Sequence, residues 1–411
     1  MSCLSAPRQT ISVPTDHTAC FPREQLIRAK NMSETNMATN EDALDEALKA
    51  LGLRRFEVPG PKSNGFVNVF QVLQDQCLKR LADIADEYAV PGGVGFGFAE
   101  HREFNAFAQR TSKDVICFYS SSVRVMWSLF NAIMTIREIF PWIDDIDRLG
   151  EQSAPPAKGD LFFIRPPEKE VAEPDPIRWR LAAALFDVAM DFTLMHEVAH
   201  LWNGHVELFH QKNGQRPYQE MHLIEGLELS EAQALEFDAD SFAIQKVFAR
   251  VYRENPFKDF STGLLKDHSL PADGEHTASW YFTWFAIYAL FKSYDEACAA
   301  ADLPRRAQPP AALRLACLLS TVTAVCSRQG WSQLSMELWA AHATSAGLEA
   351  EGAICRMRGT GLNSQAFNLA WSGIAFDQIE KYLQTWDRLG PQLAALKRGP
   401  MAAKTSATAV S

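Results

Sequence analysis

The segment Met195–His205, with the sequence MHEVAHLWNGH, contains three of the ten histidines of the chain. His196 and His200 are four residues apart, and on an α-helix this spacing places two imidazoles on one face, where both can bind a single tetrahedral zinc ion. Glu197 would then lie beside the open coordination position, where its carboxylate can accept a proton from water as a general base. The segment therefore predicts a zinc helix suited to hydrolysis.

The alternative is a chance pattern of two histidines and a glutamate on a solvated helix face. The surrounding sequence, RWRLAAALFDVAMDFTLMHEVAHLW, is largely apolar. Histidines in such a helix would be buried, and buried imidazoles need a metal or hydrogen-bond partners. The sequence context therefore favours the metal.

His205 is the nearest candidate for a third ligand, but its spacing does not fit. Nine residues along a continuous helix place it about 180° from His196, on the opposite face. The metzincin pattern would need glycine at position 203 and histidine at position 206, where this chain has Asn203 and Val206. We therefore expect Gly204 to end the helix and His205 to be solvated or to support a ligand from behind.

A better third ligand lies 36 residues after His200, in SEAQALEFDADSFAIQKVFARVY. This segment predicts a helix that is opened by a capping box of Ser230 and Gln233. Glu236 would complete the metal site, and Asp240, one turn later on the same face, would accept the free N–H of a ligating histidine. The alternative is an amphipathic helix with a solvated acidic stripe of Glu231, Glu236, Asp238 and Asp240.

The composition of the whole chain limits the classes of protein to which it can belong. A chain of 411 residues can bury a large core without a metal or disulfides. The formal charge is -10 and the acidic residues are scattered, which argues against nucleic acid as a partner. Eight cysteines, with no C-x-x-C pair, are typical of reduced thiols, and the N-terminus has no secretory pattern, so we expect a cytoplasmic protein.

The most apolar segment is Ala278–Phe291, which is short of the roughly 20 residues that span a bilayer. We interpret it as a buried helix, and membrane association is not expected. A role at a membrane surface remains the alternative, because Trp280 and Trp284 suit an interface.

The fold class predicted from these elements is α+β and mainly α-helical, with a small β-sheet. The segments GGVGFGFAE and DVICFYSSS are the best strand candidates, and nearly everything after Pro176 reads as helix. The predicted organisation is an N-terminal segment at 1–62, partly disordered but with a helix near Asn40–Leu53, a catalytic domain at 63–330, a C-terminal helical region at 331–398 and a disordered tail at 399–411.

HEVAH followed by EFDADSFA resembles the gluzincin zinc metallopeptidases, and most closely the family of the CAAX prenyl endopeptidases and the HtpX-type heat-shock membrane proteases. Glu236 and the Ala239–Asp240 pair match the Glu-x-x-Ala-Asp motif of that family. FNAFAQRTSKDVICFYSSSV and AQPPAALRL are similar to its Asn-Ala-Phe-Ala segment and its His-Pro-Pro…Arg segment. The resemblance covers roughly Gly93 to Leu319 and implies a zincin-like catalytic domain.

The resemblance also implies roles for residues outside the metal motifs. Asn105–Ala108 would lead into an edge strand that lies along the cleft and pairs with an extended peptide. That strand would consist of Val115, Ile116, Cys117, Phe118 and Tyr119. Arg314 would stabilise a developing oxyanion, with a surface salt bridge as the alternative.

Two departures from the family pattern matter. Gln308 stands where the family has a histidine before the two prolines, and flanking transmembrane helices are absent, which suggests a soluble form. The resulting hypothesis is a zinc-dependent endopeptidase with one Zn²⁺ per chain, held by His196, His200 and Glu236, and a polypeptide substrate. A non-catalytic zinc-binding sensor or scaffold with the same fold is the alternative. The sequence leaves the oligomeric state, the substrate and the roles of His205 and Gln308 open.

Overall fold

The computed structural model describes residues 41–58, 69–88, 93–136, 138–143, 176–213, 227–260, 264, 276–294, 309–362 and 367–398. The described chain is mostly helical with one small mixed sheet, so the predicted α+β, mainly helical class is confirmed. The segments predicted to be disordered, up to residue 40 and at 399–411, and the position of Gln308 lie outside the described residues.

The sheet has four strands in the order β1-β2-β4-β3. The strands are β1 Arg54–Arg55, β2 Val94–Glu100, β3 Ala106–Arg110 and β4 Asp114–Tyr119. The parallel pair β2 and β4 comes from the two segments predicted as strands, and the pairs β1–β2 and β3–β4 are antiparallel. A helix at 41–50, α1, packs on one face, where Gly97 leaves room for the side chain of Leu44.

The prediction that Val115–Tyr119 is an edge strand is wrong. These residues form most of β4, which is hydrogen-bonded to β2 on one side and to β3 on the other. All six residues of β4 are buried. A strand with both edges occupied has no backbone groups left for a substrate, because each main-chain donor and acceptor is used in the ladder. The strand at this end of the sheet is β3.

The helices that follow are long, and one of them lies at the centre. Helix α4 packs against α3, α6, α7 and the edge strand β3. Its sequence is apolar on nearly every side, which is typical of a helix that is covered all round. The helices are α2 Val69–Glu87, α3 Ser120–Met134, α4 Pro176–Trp202, α5 His205–Asn213, α6 Leu229–Glu254, α7 Thr277–Tyr294, α8 Ala311–Arg328, α9 Gln333–Met357 and α10 Gly373–Leu396.

Helix α7 contains the most apolar segment of the sequence, Ala278–Phe291. Apart from the partly buried Trp280, every residue of that segment is buried in the protein, which confirms the interpretation as a buried helix. Among the described residues, α8 alone is long and apolar enough to cross a membrane by length and composition, and 67% of it is buried within the protein.

Candidate metal centre

Helices α4 and α6 pack against each other and bring three predicted ligands together. The Nε2 atoms of His196 and His200 lie 2.9 Å apart. The carboxylate oxygens of Glu236 lie 3.4 Å from the first nitrogen and 3.6 Å from the second. The exposed fraction of each side chain is 5% or less. One donor atom from each residue lies within 4.8 Å of the others, so this buried group could hold a metal ion.

The acidic residues of α6 are not a solvated stripe. Between 2% and 7% of Glu231, Glu236, Asp238 and Asp240 is exposed. Helix α6 packs against α4, α8 and α10, so its polar face is covered as well as its apolar one. The predicted capping box was wrong by two residues, because the helix begins at Leu229 and the reciprocal cap is formed by Glu228 and Glu231.

Asp240 contacts His196 on the side of the ring that faces away from the other two donors. Its Oδ1 lies 2.9 Å from Nδ1 of His196, so the Nε2 of that ring faces the other two donors. Arg314, on α8, donates to both oxygens of the same carboxylate. Burial by itself would raise the pKa of Asp240, but the charge of Arg314 and the hydrogen bonds from His196 and Arg314 lower it below its ordinary value. Asp240 is therefore an ionised acceptor at neutral pH.

Arg314 is not a surface residue. Only 8% of it is exposed, and its guanidinium lies over the ring of Phe291, 3.8 Å from the ring centroid. The alternative of a surface salt bridge is therefore wrong. The structure places Arg314 behind Asp240 and at the wall of the pocket that contains Glu197.

The expectation that His205 is solvated is also wrong, while the alternative that it supports a ligand from behind agrees with its position. The side chain is fully buried, with its Nδ1 3.0 Å from Nδ1 of His200. Gly204 ends α4 as predicted, with φ at +85°, and the chain turns back into α5. A spacing of nine residues places His205 opposite His196 only on a continuous helix, and the turn at Gly204 interrupts that helix. Burial lowers the pKa of His205, and its hydrogen bond to Asp238 offsets this effect only in part.

Asp238 connects His205 to distant parts of the chain. Its Oδ2 lies 3.1 Å from Nε2 of His205 and accepts a hydrogen bond of 2.7 Å from the side-chain amide of Asn203. Its Oδ1 accepts a hydrogen bond of 2.9 Å from the indole of Trp386, on α10. Trp386 lies 148 residues after Asp238, and no local sequence pattern marks it as part of the site.

Glu197 follows His196 directly on α4, and both residues line a small pocket. Ala106 of β3, Phe192 of α4, Phe291 of α7 and Arg314 of α8 line the same pocket. The predicted substrate strand at 115–119 does not line it, among the residues that the structure describes. The pocket therefore brings the carboxylate of Glu197 together with one of the three metal-site residues, His196, beside the start of β3.

Comparison with known proteins gives one match. Residues 124–261, about a third of the chain, match the model of the family Peptidase U49. The matched range contains His196, Glu197, His200, Glu236 and Asp240, and it ends before Arg314. No curated protein and no solved structure matches the chain. The match with Peptidase U49 indicates a peptidase family.

Proposed function

We propose that this protein is a zinc-dependent endopeptidase. The observation that carries the proposal is the convergence of His196, His200 and Glu236, with Glu197 next to His196 on α4 and in the same pocket as His196. The match with a peptidase family supports hydrolysis of a peptide bond as the reaction.

The donor set fits zinc. Two imidazole nitrogens and one carboxylate are the ligands of many catalytic zinc sites, which keep a fourth position open. Around a tetrahedral zinc ion with bonds of about 2.0–2.2 Å, the ligand atoms lie about 3 to 4 Å from one another. The distances from the Glu236 oxygens to Nε2 of His196 and of His200 fall within this range. When bound, zinc would polarise the substrate carbonyl and lower the pKa of water. The resemblance to gluzincins is compatible with this ligand set.

Glu197 supplies the proton transfers in this proposal. Its side chain is 1% exposed, so the carboxylate acts in a site from which most bulk water is excluded. One of its oxygens accepts a proton from the attacking water. The same oxygen then donates the proton to the amide nitrogen as the C–N bond breaks, so a single residue serves as base and then as acid.

The substrate would bind as an extended segment along β3, not along β4. Within the described ranges, β3 pairs with β4 on one side and with no strand on the other. Asn105 fixes the start of β3, because it exchanges two hydrogen bonds of 2.7 Å with the hydroxyl of Ser122. Ala106 follows and lines the pocket of Glu197. Residues 106–109 of β3 are buried, so a peptide can pair with this edge and pass Glu197 only when the edge is uncovered.

Arg314 acts through Asp240 in this proposal. Its Nε and Nη2 donate to the carboxylate at 2.8 and 2.7 Å, which fixes the group that orients His196. Direct contact of Arg314 with an oxyanion stays a prediction.

The decisive experiment compares wild type with Glu197→Gln. The change removes the proton acceptor and keeps the side-chain size, so we expect zinc content to persist and casein cleavage to fall by about 10²–10⁴-fold. Glu380→Gln, on the exposed face of α10, is the control and should leave both unchanged. A sensor or scaffold would keep its partner binding and cellular phenotype in the Glu197→Gln variant. Equal cleavage by wild type and that variant would exclude the proposed mechanism.

A further inference from the structure

We infer that His205 and Asp238 are positioning residues that fix which nitrogen of His200 faces the metal, and that Trp386 of α10 anchors this pair. The inference rests on the proposed metal centre, because His200 is one of its three ligands. It assigns a role to three residues outside the ligand set, and it makes the C-terminal helix part of the centre.

The positions of the protons follow from the groups that can only donate. The indole N–H of Trp386 is a donor, so it donates to Oδ1 of Asp238 at 2.9 Å. The other oxygen of this carboxylate accepts from the amide of Asn203 and faces Nε2 of His205. A carboxylate accepts, so Nε2 of His205 must carry a proton and donate it.

These donor and acceptor roles also determine the tautomer of His200. With its proton on Nε2, His205 presents a lone pair on Nδ1, 3.0 Å from Nδ1 of His200. His200 must donate across this contact, so its own proton lies on Nδ1. Its Nε2 is then left with the lone pair that a metal needs, on the side where His196 and Glu236 converge. The chain of hydrogen bonds thus directs Nε2 of His200, and not Nδ1, toward the place of the metal.

The two histidine ligands therefore have different hydrogen-bond partners. His196 donates directly to the carboxylate of Asp240, whereas His200 donates to the imidazole of His205, which donates in turn to Asp238. The partners of His200 are buried: His205 is 0% exposed and Trp386 is 6% exposed. Buried polar groups without partners cost free energy, so a break at any step disturbs the whole chain.

Four variants test the inference. Asp238→Asn keeps the shape but places an amide N–H against His205 or Trp386, both of which must donate. His205→Phe removes both ring nitrogens and keeps a ring, whereas His205→Asn keeps an acceptor near the position of Nδ1. Trp386→Phe removes only the indole donor, and Trp371→Phe, at a 41% exposed residue, is the control.

The measurements are zinc affinity by competition with a chelating indicator, the visible spectrum of the cobalt-substituted protein, and the melting temperature of the metal-free protein. We expect Asp238→Asn and His205→Phe to weaken zinc binding by about 10–100-fold and to shift the cobalt spectrum. His205→Asn should bind zinc at least about threefold more tightly than His205→Phe, and Trp386→Phe should lose about threefold or more. Trp371→Phe should match wild type.

Two results would overturn the inference while wild type still binds zinc. One is that Asp238→Asn and Trp386→Phe both leave the zinc affinity and the cobalt spectrum unchanged. These two variants are sufficient for the test even if His205→Phe does not fold. The other is an equal loss in His205→Asn and His205→Phe that parallels their melting temperatures, since that pattern indicates packing alone. A wild-type protein that binds no zinc would instead overturn the proposed function and this inference with it.

Discussion

Arg314 donates two hydrogen bonds to Asp240, from Nε at 2.8 Å and from Nη2 at 2.7 Å. Because Asp240 also accepts from His196, one buried chain of contacts joins α8, α6 and the helix that carries both histidines. Arg314 lies 74 residues after Asp240, and the family match ends before it. The proposed centre therefore depends on a part of the chain outside the two metal motifs.

Arg314→Lys should weaken the metal site. A lysine ammonium cannot reproduce the planar two-pronged contact with Asp240, so His196 loses its fixed partner. We expect zinc affinity to fall about 10-fold and the metal-free protein to lose on the order of 3 kcal/mol in its free energy of unfolding. Chelator competition and denaturant unfolding measure the two effects.

The control for this change is Arg356→Lys. Arg356 forms an exposed ion pair of 3.5 Å with Glu138, and such pairs contribute about 0–1 kcal/mol. If both lysine variants behave alike, Arg314 has no special part in the centre.

Ala108→Pro should impair substrate binding without removing the metal. The N–H of Tyr119 donates to the carbonyl of Asn105, and antiparallel ladder bonds alternate along a strand, so the backbone groups of Ala108 point away from β4. Ala108 is fully buried, so a peptide reaches its N–H only when this edge is uncovered. Proline removes one outward N–H. We expect kcat/KM for a peptide substrate to fall about 10-fold at unchanged zinc content.

Ala108→Val is the matched control, because it keeps the N–H and enlarges a fully buried side chain, so it measures the effect of packing. Its kcat/KM should stay within about threefold of wild type, since the edge hydrogen bond remains. Equal losses in the valine and proline variants would show that packing at residue 108, not strand pairing, limits turnover.

Gly204→Ala should disturb the end of α4. The φ of +85° is unfavourable for any side chain, and an added Cβ would lie 2.8 Å from Cβ and 3.0 Å from the backbone carbon of Leu396. The strain costs about 1–2 kcal/mol, and the clash with α10 adds to it. Gly330→Ala has a similar φ of +81° with nothing within 4 Å, so it measures the strain alone. Thermal unfolding should rank Gly204→Ala as the less stable variant, and the reverse order would contradict the contact with α10.

Local patterns predicted the parts of the site that lie within one helix. The spacing of His196 and His200 and the shared face of Glu236 and Asp240 follow from 3.6 residues per turn, and the structure shows the same juxtapositions. The segments of β2 and β4 were also recognisable from their β-favouring residues.

Contacts between segments far apart in the chain could not be predicted from the sequence. Whether β4 lies at the edge or inside the sheet depends on β2 and β3 together, and a strand pattern alone does not contain that choice. His205 was misplaced because a single turn at Gly204 reverses the direction in which its side chain points. Trp386 reaches Asp238 only because α10 packs on α6, a contact between distant segments.

Alkaline pH should destabilise the fold through Tyr119 and the buried thiols. Burial raises the pKa of Tyr119 from 10.0 to about 12, with further contributions from Cys117, Glu103 and Glu197. Burial also raises the pKa values of Cys117 and Cys317 above 9.0. A raised pKa in the folded state means that the unfolded chain loses its proton first. The associated stability is complete below pH 9 and is lost as the pH rises through 10 toward 12.

Tyr119→Phe isolates the tyrosine contribution. A pKa rise from 10.0 to about 12 corresponds to on the order of 3 kcal/mol that wild type loses over this range and the phenylalanine variant does not. Unfolding by urea at pH 8, 9, 10 and 11 should therefore show a shallower decline for Tyr119→Phe above pH 10, with the thiols causing a shared decline from pH 9. Tyr252→Phe, at a residue 61% exposed, is the control and should follow wild type. Parallel curves for wild type and Tyr119→Phe above pH 10 would show that the phenol of Tyr119 ionises as readily in the folded protein as in the unfolded chain.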